Sequence, residues 1–154
     1  MDIAPILGQI PSGLFIVTAR QGDHETGMLA SWVMQAGFEP PMLTVAVNQA
    51  RYVAEWLTPD APFVVNVLAA DQRRLLSHFG RGFAPGEPAF TGLEIERSTR
   101  DLPVLADVLG HLECAVKGDL TSGDHRILLC EIVGGRRHRD GEPLVHVRAN
   151  GLKY

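Results

Sequence analysis

The sequence is poor in cysteine. Cys114 and Cys130 are the only two among 154 residues, and each stands inside an apolar run. No C-x-x-C spacing or second pair accompanies them, so neither a disulfide framework nor a thiolate metal site is encoded. Both read as free thiols in a core. Long apolar runs are also missing. None approaches the roughly 20 residues that span a bilayer, and the opening MDIAPILGQIPSG lacks a basic segment followed by an apolar one. A soluble, unexported, cytoplasmic chain is the expectation. Nor is there a large charge of one sign: 18 acidic against 14 basic residues leave a net charge of −4. No global field would gather nucleic acid or an anionic membrane, and neither is expected as a partner. Small neutral ligands and locally captured anions stay open. Linkers, repeats and low-complexity segments are absent, which predicts one domain over residues 1–154.

The familiar catalytic signatures are missing too. There is no G-x-G-x-x-G after a strand, no P-loop, no G-x-S-x-G elbow and no H-E-x-x-H, which disfavours ordinary dinucleotide, nucleotide and hydrolase folds. The six histidines, at 24, 78, 111, 125, 138 and 146, form no i, i+3 or i, i+4 pair. A metal site would have to be assembled from distant ligands, and none is expected.

What is present is a chain 45% hydrophobic, with 16 glycines and 10 prolines, turn-rich and strand-rich. Gly13–Ala19 (GLFIVTA) reads as a strand closing into the polar turn Arg20–Asp23. Thr26–Ala36 (TGMLASWVMQA) reads as a second, and Pro40-Pro41 separates it from a third, Met42–Asn48. Asn48 is a suitable N-cap for a short helix that turns Val53, Trp56 and Leu57 inward. Phe63–Ala69 (FVVNVLA) is the most strand-like run. Asp71 is then positioned to cap a second short helix with Leu75, Leu76 and Phe79 inward and Gly80 at its exit. Four further apolar runs follow, Phe90–Ile95, Leu112–Leu120, Arg126–Val133 and Leu144–Val147, with turns at Ser122-Gly123-Asp124 and Asp140-Gly141. About eight successive strands with two or three short helices predict a mainly β protein closed as an antiparallel barrel. Small barrels have little interior room, so a ligand would sit at a rim or between two barrels.

Within the second strand, small and hydroxyl residues interrupt the apolar pattern. Composition alone favours a core strand with a tolerated serine; the other reading is a wall against which a flat ligand or phosphate meets backbone amides and the Ser31 hydroxyl. His125, after Ser122-Gly123-Asp124, reads as a solvated turn histidine or a functional one. His78 and Arg81 complement a helix dipole, or serve a site. Arg51 opens a helix and is either solvent-facing or a phosphate ligand.

Taken in order, Leu7–Ala19, Thr26–Val33 and Phe38–Val47 resemble the flavin reductase-like family of the FMN-binding split barrel. Within it, the likeness is to the reductase domain at the C-terminus of cyanobacterial flavodiiron proteins. Phe63–Leu68, His78-Phe79, Phe83–Glu87, Leu112-Glu113-Cys114, Gly123-Asp124-His125 and the ending His146-x-Arg148-x-x-Gly151-x-x-Tyr154 extend the match over nearly the whole chain. The diiron and flavodoxin-like blocks are missing, so oxygen reduction at a diiron centre is not implied. The resemblance implies an antiparallel, Greek-key split barrel and a homodimer with FMN, or FAD, at its interface. NADH or NADPH would be the hydride donor, and an acceptor such as a monooxygenase would take the electrons. By position, Thr26, Gly27, Met28, Leu29, Ala30, Ser31, Trp32 and Gln35 would hold the flavin ring and ribityl phosphate. Asn48 and Arg51 would complete the phosphate pocket, Phe79 would line the ring, and His125 would be the catalytic group on the nicotinamide side. Trp32 departs from the Ser or Thr common there, and the Asn48–Arg51 turn lacks a customary Ser. Missing nucleophiles are in keeping with such a protein, because the hydride chemistry belongs to the cofactors. A flavin-holding carrier or sensor that ignores pyridine nucleotides is the alternative.

Overall fold

The computed structural model describes residues 2–154. It is mainly β, with 47% strand and 11% helix. A five-residue helix α1 (Ala4–Gly8) and a short strand β1 (Ser12–Gly13) lead into the hairpin β2 (Phe15–Gln21) and β3 (His24–Ala30). A second hairpin, β4 (Val33–Phe38) and β5 (Pro41–Asn48), is followed by α2 (Val53–Trp56), β6 (Pro62–Val67) and α3 (Arg73–Gly80). Two short strands, β7 (Ile95–Arg97) and β8 (Pro103–Leu105), precede the long hairpin β9 (Gly110–Ser122) and β10 (His125–Arg137), and β11 (Val145–His146) returns to β1. Seven strands form one antiparallel sheet in the order β3-β2-β6-β9-β10-β5-β4.

That order has a consequence. The two edge strands, β3 and β4, are consecutive in sequence and separated only by Ser31 and Trp32. A flat sheet cannot bring its first and last strands within two residues, so the sheet curls into a barrel whose edges meet without pairing. The alternating side chains of β5 show it. Leu43, Val45 and Val47 are buried while Met42, Thr44, Ala46 and Asn48 are only partly so. The inward row packs with Val17, Met28, Phe63, Val65, Leu128, Cys114 and Cys130. β2 is buried on both faces, because Ile16 on its outer side meets Leu75 and Phe79 of α3. Burial pushes both thiols up to about 12, so they are neutral, unreactive core groups at neutral pH.

Polar residues inside this sheet are satisfied. Asn66, fully buried, donates to the Ile16 carbonyl (2.9 Å) and accepts from the Leu105 amide (2.9 Å), fastening β8 to the barrel. The Thr18 hydroxyl donates to the Pro103 carbonyl at 2.6 Å. Glu113, almost wholly buried, accepts from the amide and hydroxyl of Thr99. Burial raises its carboxyl, but those bonds and His111 outweigh it and hold the group below the usual range.

Several elements depart from the sequence-based expectation. Thr26–Ala36 is not one strand, because it breaks at Ser31-Trp32 where the barrel seam lies. Phe90–Ile95 is largely a turn, with Leu93 N–H bonded to the Phe90 carbonyl; only Ile95, at the start of β7, enters a sheet, and Phe90, Leu93 and Ile95 pack with the core beneath α3. Asn48 does not cap α2; its Oδ1 accepts from the Ala50 amide in a tight turn, and Tyr52 stands at the cap. Asp71 does not cap α3 either. Its carboxylate accepts from Arg139 at 2.9 Å, and Gln72 takes the cap position. Replacing Asn66 with Ala leaves the Leu105 amide without its partner in the core and removes the side-chain bond to the Ile16 carbonyl. We expect Asn66→Ala to lower stability by about 3 kcal/mol in urea denaturation.

Candidate functional site

The seam leaves backbone groups without partners. Among the described residues, neither Ser31 nor Trp32 donates its N–H to a backbone carbonyl, although the Trp32 carbonyl accepts from Ala46 at 2.9 Å. Buried amides without partners are costly, so such donors either meet water or a ligand. Here Ser31 borders a cleft of about 570 Å³, with Trp32 just behind it, a volume inside the range of small-molecule sites. Met28, Leu29, Ala30 and Ser31 form one wall, and Ala46, Val47, Asn48 and Arg51 at the end of β5 form the next. Leu76 and Gly80 of α3 supply a third. The cover is the C-terminal segment from His146 to Tyr154, which contributes Arg148, Asn150, Lys153 and Tyr154. No Asp or Glu lines the cleft.

The covering segment is fixed by close backbone contacts. The Arg148 amide donates to the Gly8 carbonyl at 2.8 Å, and the Gly151 amide donates to the Ala4 carbonyl at 2.7 Å. A Cβ on Gly8 would lie 2.0 Å from the Arg148 carbonyl oxygen, and one on Gly151 would lie 2.2 Å from Leu7 Cβ. Both positions therefore require glycine, Gly8 by contact with the C-terminal strap and Gly151 by contact with α1. Beyond this clasp the Tyr154 ring reaches Trp32, with centroids 6.0 Å apart, and its hydroxyl lies 3.4 Å from His125 Nε2. The Arg148 guanidinium stands 5.3 Å above Trp32 and 5.6 Å from the Tyr154 ring, within cation–π range. Burial raises the Tyr154 phenol above its ordinary value, against the opposing influence of Arg148 and Arg51.

His125 is not a solvated turn residue. It is buried, 4.8 Å from the Trp32 ring, with Nδ1 2.6 Å from Asp124 Oδ1. The Asp124 carboxyl is held below its usual range by that hydrogen bond. The Gln49 amide donates to the Asp124 carbonyl at 2.9 Å, and its side-chain Nε2 donates to the His125 carbonyl at 3.2 Å. The turn after β5 and the turn before β10 are thus fastened to each other.

The structure brings Met28, Leu29, Ala30, Ser31, Asn48 and Arg51 together on the cleft walls. Trp32 and His125 stand just behind, joined to the cleft through Tyr154 and Arg148. The remaining candidates lie elsewhere. Thr26 is buried under the Tyr52 hydroxyl, which bridges Thr26 Oγ1 (3.1 Å) and the Phe83 carbonyl (2.6 Å). Gly27 faces Phe79, whose ring would be 2.6 Å from a Cβ there, and Phe79 is core. The small residue in this strand makes room for a helix side chain. Gln35 is exposed on β4, away from the cleft. His78 packs edge-on against Phe79, with Nε2 2.7 Å from the Ala89 carbonyl, and Arg81 pairs with Glu87. Composition and spacing gave no reason to choose Arg148, Lys153, Asn150, Leu76 or Gly80. Two strap cations without a neighbouring acid were the visible signal.

A seven-stranded barrel split along one seam, with a ligand cleft at the seam, defines the class of fold. Comparison with known proteins is consistent with it: the flavin reductase like domain model matches residues 7–151. The chain is 36% identical over 155 residues to diflavin flavoprotein A 1 of Synechocystis sp., covering 99% of this chain and 27% of that protein. It therefore spans about a quarter of the length of that curated relative. The NADH:FAD oxidoreductase SgcE6 of Streptomyces globisporus superimposes with a TM-score of 0.85 at 28% identity, over 93% of this chain and 85% of that one. BorF, the flavin reductase component of a bacterial two-component tryptophan halogenase, gives 0.82 at 27% identity over 93% and 90%. The chain belongs to the flavin reductase-like family.

The Gly151 contact tests whether the clasp holds the cover. Gly151→Ala should cost about 1–3 kcal/mol in urea denaturation, through forced displacement of α1 or the strap. It should also expose residues beyond Arg148 to limited proteolysis.

Proposed function

We propose that this chain is an NAD(P)H:flavin oxidoreductase. It would take hydride from a nicotinamide nucleotide onto FMN, with FAD as the second candidate, and supply reduced flavin or electrons to an acceptor such as a monooxygenase. The carrying observation is the seam cleft itself: free amide and hydroxyl donors on one wall, cations on the others, and no carboxylate or paired nucleophile. That inventory suits the binding of an anionic, planar cofactor and supplies no acyl or phosphoryl transfer machinery. Reductases among the structural relatives support the same reading.

In this reading the whole of residues 1–154 acts as one reductase domain. The bound flavin supplies the hydride-accepting chemistry. Ser31 and the amides at the seam donate to its polar edge, and Met28, Leu29 and Ala30 give the ring an apolar floor. The Asn48–Arg51 turn receives the phosphate, with Arg51 as its counter-charge. The strap excludes water from above, which strengthens every electrostatic contact beneath it. Asp124 Oδ1, 2.6 Å from His125 Nδ1, fixes the orientation of the imidazole and leaves Nε2 3.4 Å from the Tyr154 hydroxyl. His125 faces the position of the nicotinamide, where stacked rings must approach to about 3–3.5 Å.

A homodimer belongs to the proposal. On the outer face, Met34 of β4 stands in register with Thr44, Leu129 and Gly118, and Ala46 stands in register with Ile127 and Leu120. Met34, Leu120 and Leu129 are exposed, and Phe38 is 88% exposed on the same edge strand. An apolar sheet face bordering the seam suits a second copy that closes the open side of the cleft. Buried free thiols are compatible with the reducing cytoplasm, where we place the protein. No helix among the described residues is long and apolar enough to cross a membrane.

The reading is tested by anaerobic absorbance titration of protein plus FMN with NADH and then NADPH. Bleaching of the flavin band faster than a protein-free control is expected. Retained colour without acceleration would leave a flavin-holding module. Two variants assign roles. Ser31→Ala should weaken FMN by about 1–3 kcal/mol. His125→Ala should slow reduction while leaving FMN affinity nearly unchanged, and a large loss of FMN would instead move His125 to the flavin.

A further inference from the structure

Nine of the fourteen Lys and Arg side chains form ion pairs with Asp or Glu within the described residues. Arg51, Arg73, Arg100, Arg148 and Lys153 do not. Three of these five, Arg51, Arg148 and Lys153, line the seam cleft, which has no acidic residue on its walls among the described residues. Concentrating uncompensated cations in one concave site raises the local potential, a cost that an anionic ligand relieves.

The three cations stand on two different elements around the one cleft, and Arg51 and Arg148 both act on the Tyr154 phenol. Arg51 sits on the turn after β5, with Nη1 3.5 Å from the Cβ position of Gly82 beyond α3. Arg148 sits on the strap with its guanidinium over Trp32 and Tyr154, on the side of His125. Its backbone is tied to Gly8, and its Nη1 donates to the Lys153 carbonyl at 3.5 Å. Arg148 is therefore held before any ligand arrives, on aromatic faces that leave much of its fork unpaired. Lys153, two residues past the Gly151 clasp, brings an exposed ammonium to the same wall. A monophosphate dianion at the Asn48–Arg51 turn carries less charge than the three cations together, so it leaves positive charge in the cleft uncompensated.

We propose that Arg148 and Lys153 form a second phosphate subsite, separate from the Asn48–Arg51 turn, that receives the diphosphate of a dinucleotide. The inference rests on the proposed placement of the flavin monophosphate at that turn. The two negative charges of a diphosphate diester match the two strap cations, and a guanidinium fork suits bidentate contact with phosphate oxygens. FAD and the nicotinamide dinucleotides share this group.

The probe is ADP-ribose, which carries the diphosphate but neither a flavin nor a nicotinamide ring. Its Kd is read by isothermal titration calorimetry on the full chain at low and moderate salt. The double variant Arg148→Gln/Lys153→Gln should raise the ADP-ribose Kd about tenfold and the FMN Kd by a clearly smaller factor, no more than about threefold. Lys153→Gln alone, at an exposed position, should give about threefold, and Arg148→Lys should recover part of the Arg148→Gln loss. FAD affinity and the KM for NADH at saturating FMN then separate the sources: a loss confined to FAD assigns the subsite to the flavin, and one confined to KM assigns it to the donor. An ADP-ribose Kd unchanged by the double variant overturns the subsite, as does an equal loss of FMN. A wild-type chain that binds ADP-ribose through these residues yet does not accelerate NADH oxidation overturns the reductase reading and leaves the subsite standing.

Discussion

The structure depends on one covalent constraint, the two-residue link Ser31-Trp32 between the edge strands of the sheet. Edge strands ordinarily expose a row of unpaired amides and carbonyls and must be covered or closed. Here closure is imposed by the chain but left incomplete, because β3 and β4 are joined end to end rather than paired side by side. The sheet must curl, its interior fills with Val17, Val45, Phe63 and Leu128, and the residual gap becomes the cleft. A fully paired barrel of this size would have no such opening. The ligand site is thus a consequence of topology, with side chains refining it.

Close packing around the seam explains residues that look functional in isolation. Gly27 lies in the strand that leads to the link, and its missing side chain admits Phe79, which seats α3 against β2 and β3. That seating brings Leu76 and Gly80 to the cleft wall. Gly8 and Gly151 do for the strap what Gly27 does for the helix. In each case a Cβ would strike neighbouring atoms at less than 3 Å, a contact that cores relieve only by moving backbone or displacing rings. The cleft's shape is accordingly set by residues that do not touch its contents.

How legible this was in the sequence follows from the range of the forces involved. Runs with strong local preference were readable: GLFIVTA, MLTVAVN and FVVNVLA correspond to β2, β5 and β6 within two residues or so at each end. The turn at Ser122-Gly123-Asp124 was readable because Gly123 adopts a φ of 59°. The break at Ser31-Trp32 was not, since the apolar pattern runs through it and only pairing with β2 on one side and β5 on the other separates the halves. The five-residue α1 and the three-residue β8 were missed because each is stabilised by distant partners, α1 by the strap and β8 by Asn66. Six of the candidate site residues meet on the cleft walls, and the cover was invisible locally because its role depends on where α1 lies.

Charge placement ties the fold to its chemistry. The chain is net negative, with a formal charge of −4, and on that count alone would repel a phosphate-bearing cofactor. At about 0.15 M ionic strength, however, fields are screened over roughly 8 Å, so a ligand near the cleft responds to the nearest charges and not to the total. The ion pairs of Arg20, Arg97 and Arg139 with Glu25, Asp101 and Asp71 lie outside the cleft and consume much of the acidic surface there. None of those acids reaches the cleft walls, which keep Arg51, Arg148 and Lys153. Local attraction therefore coexists with overall repulsion. On the proposed reading, such a protein would gather an anionic cofactor through a few uncompensated cations at a topological gap and leave the electron chemistry to what it gathers.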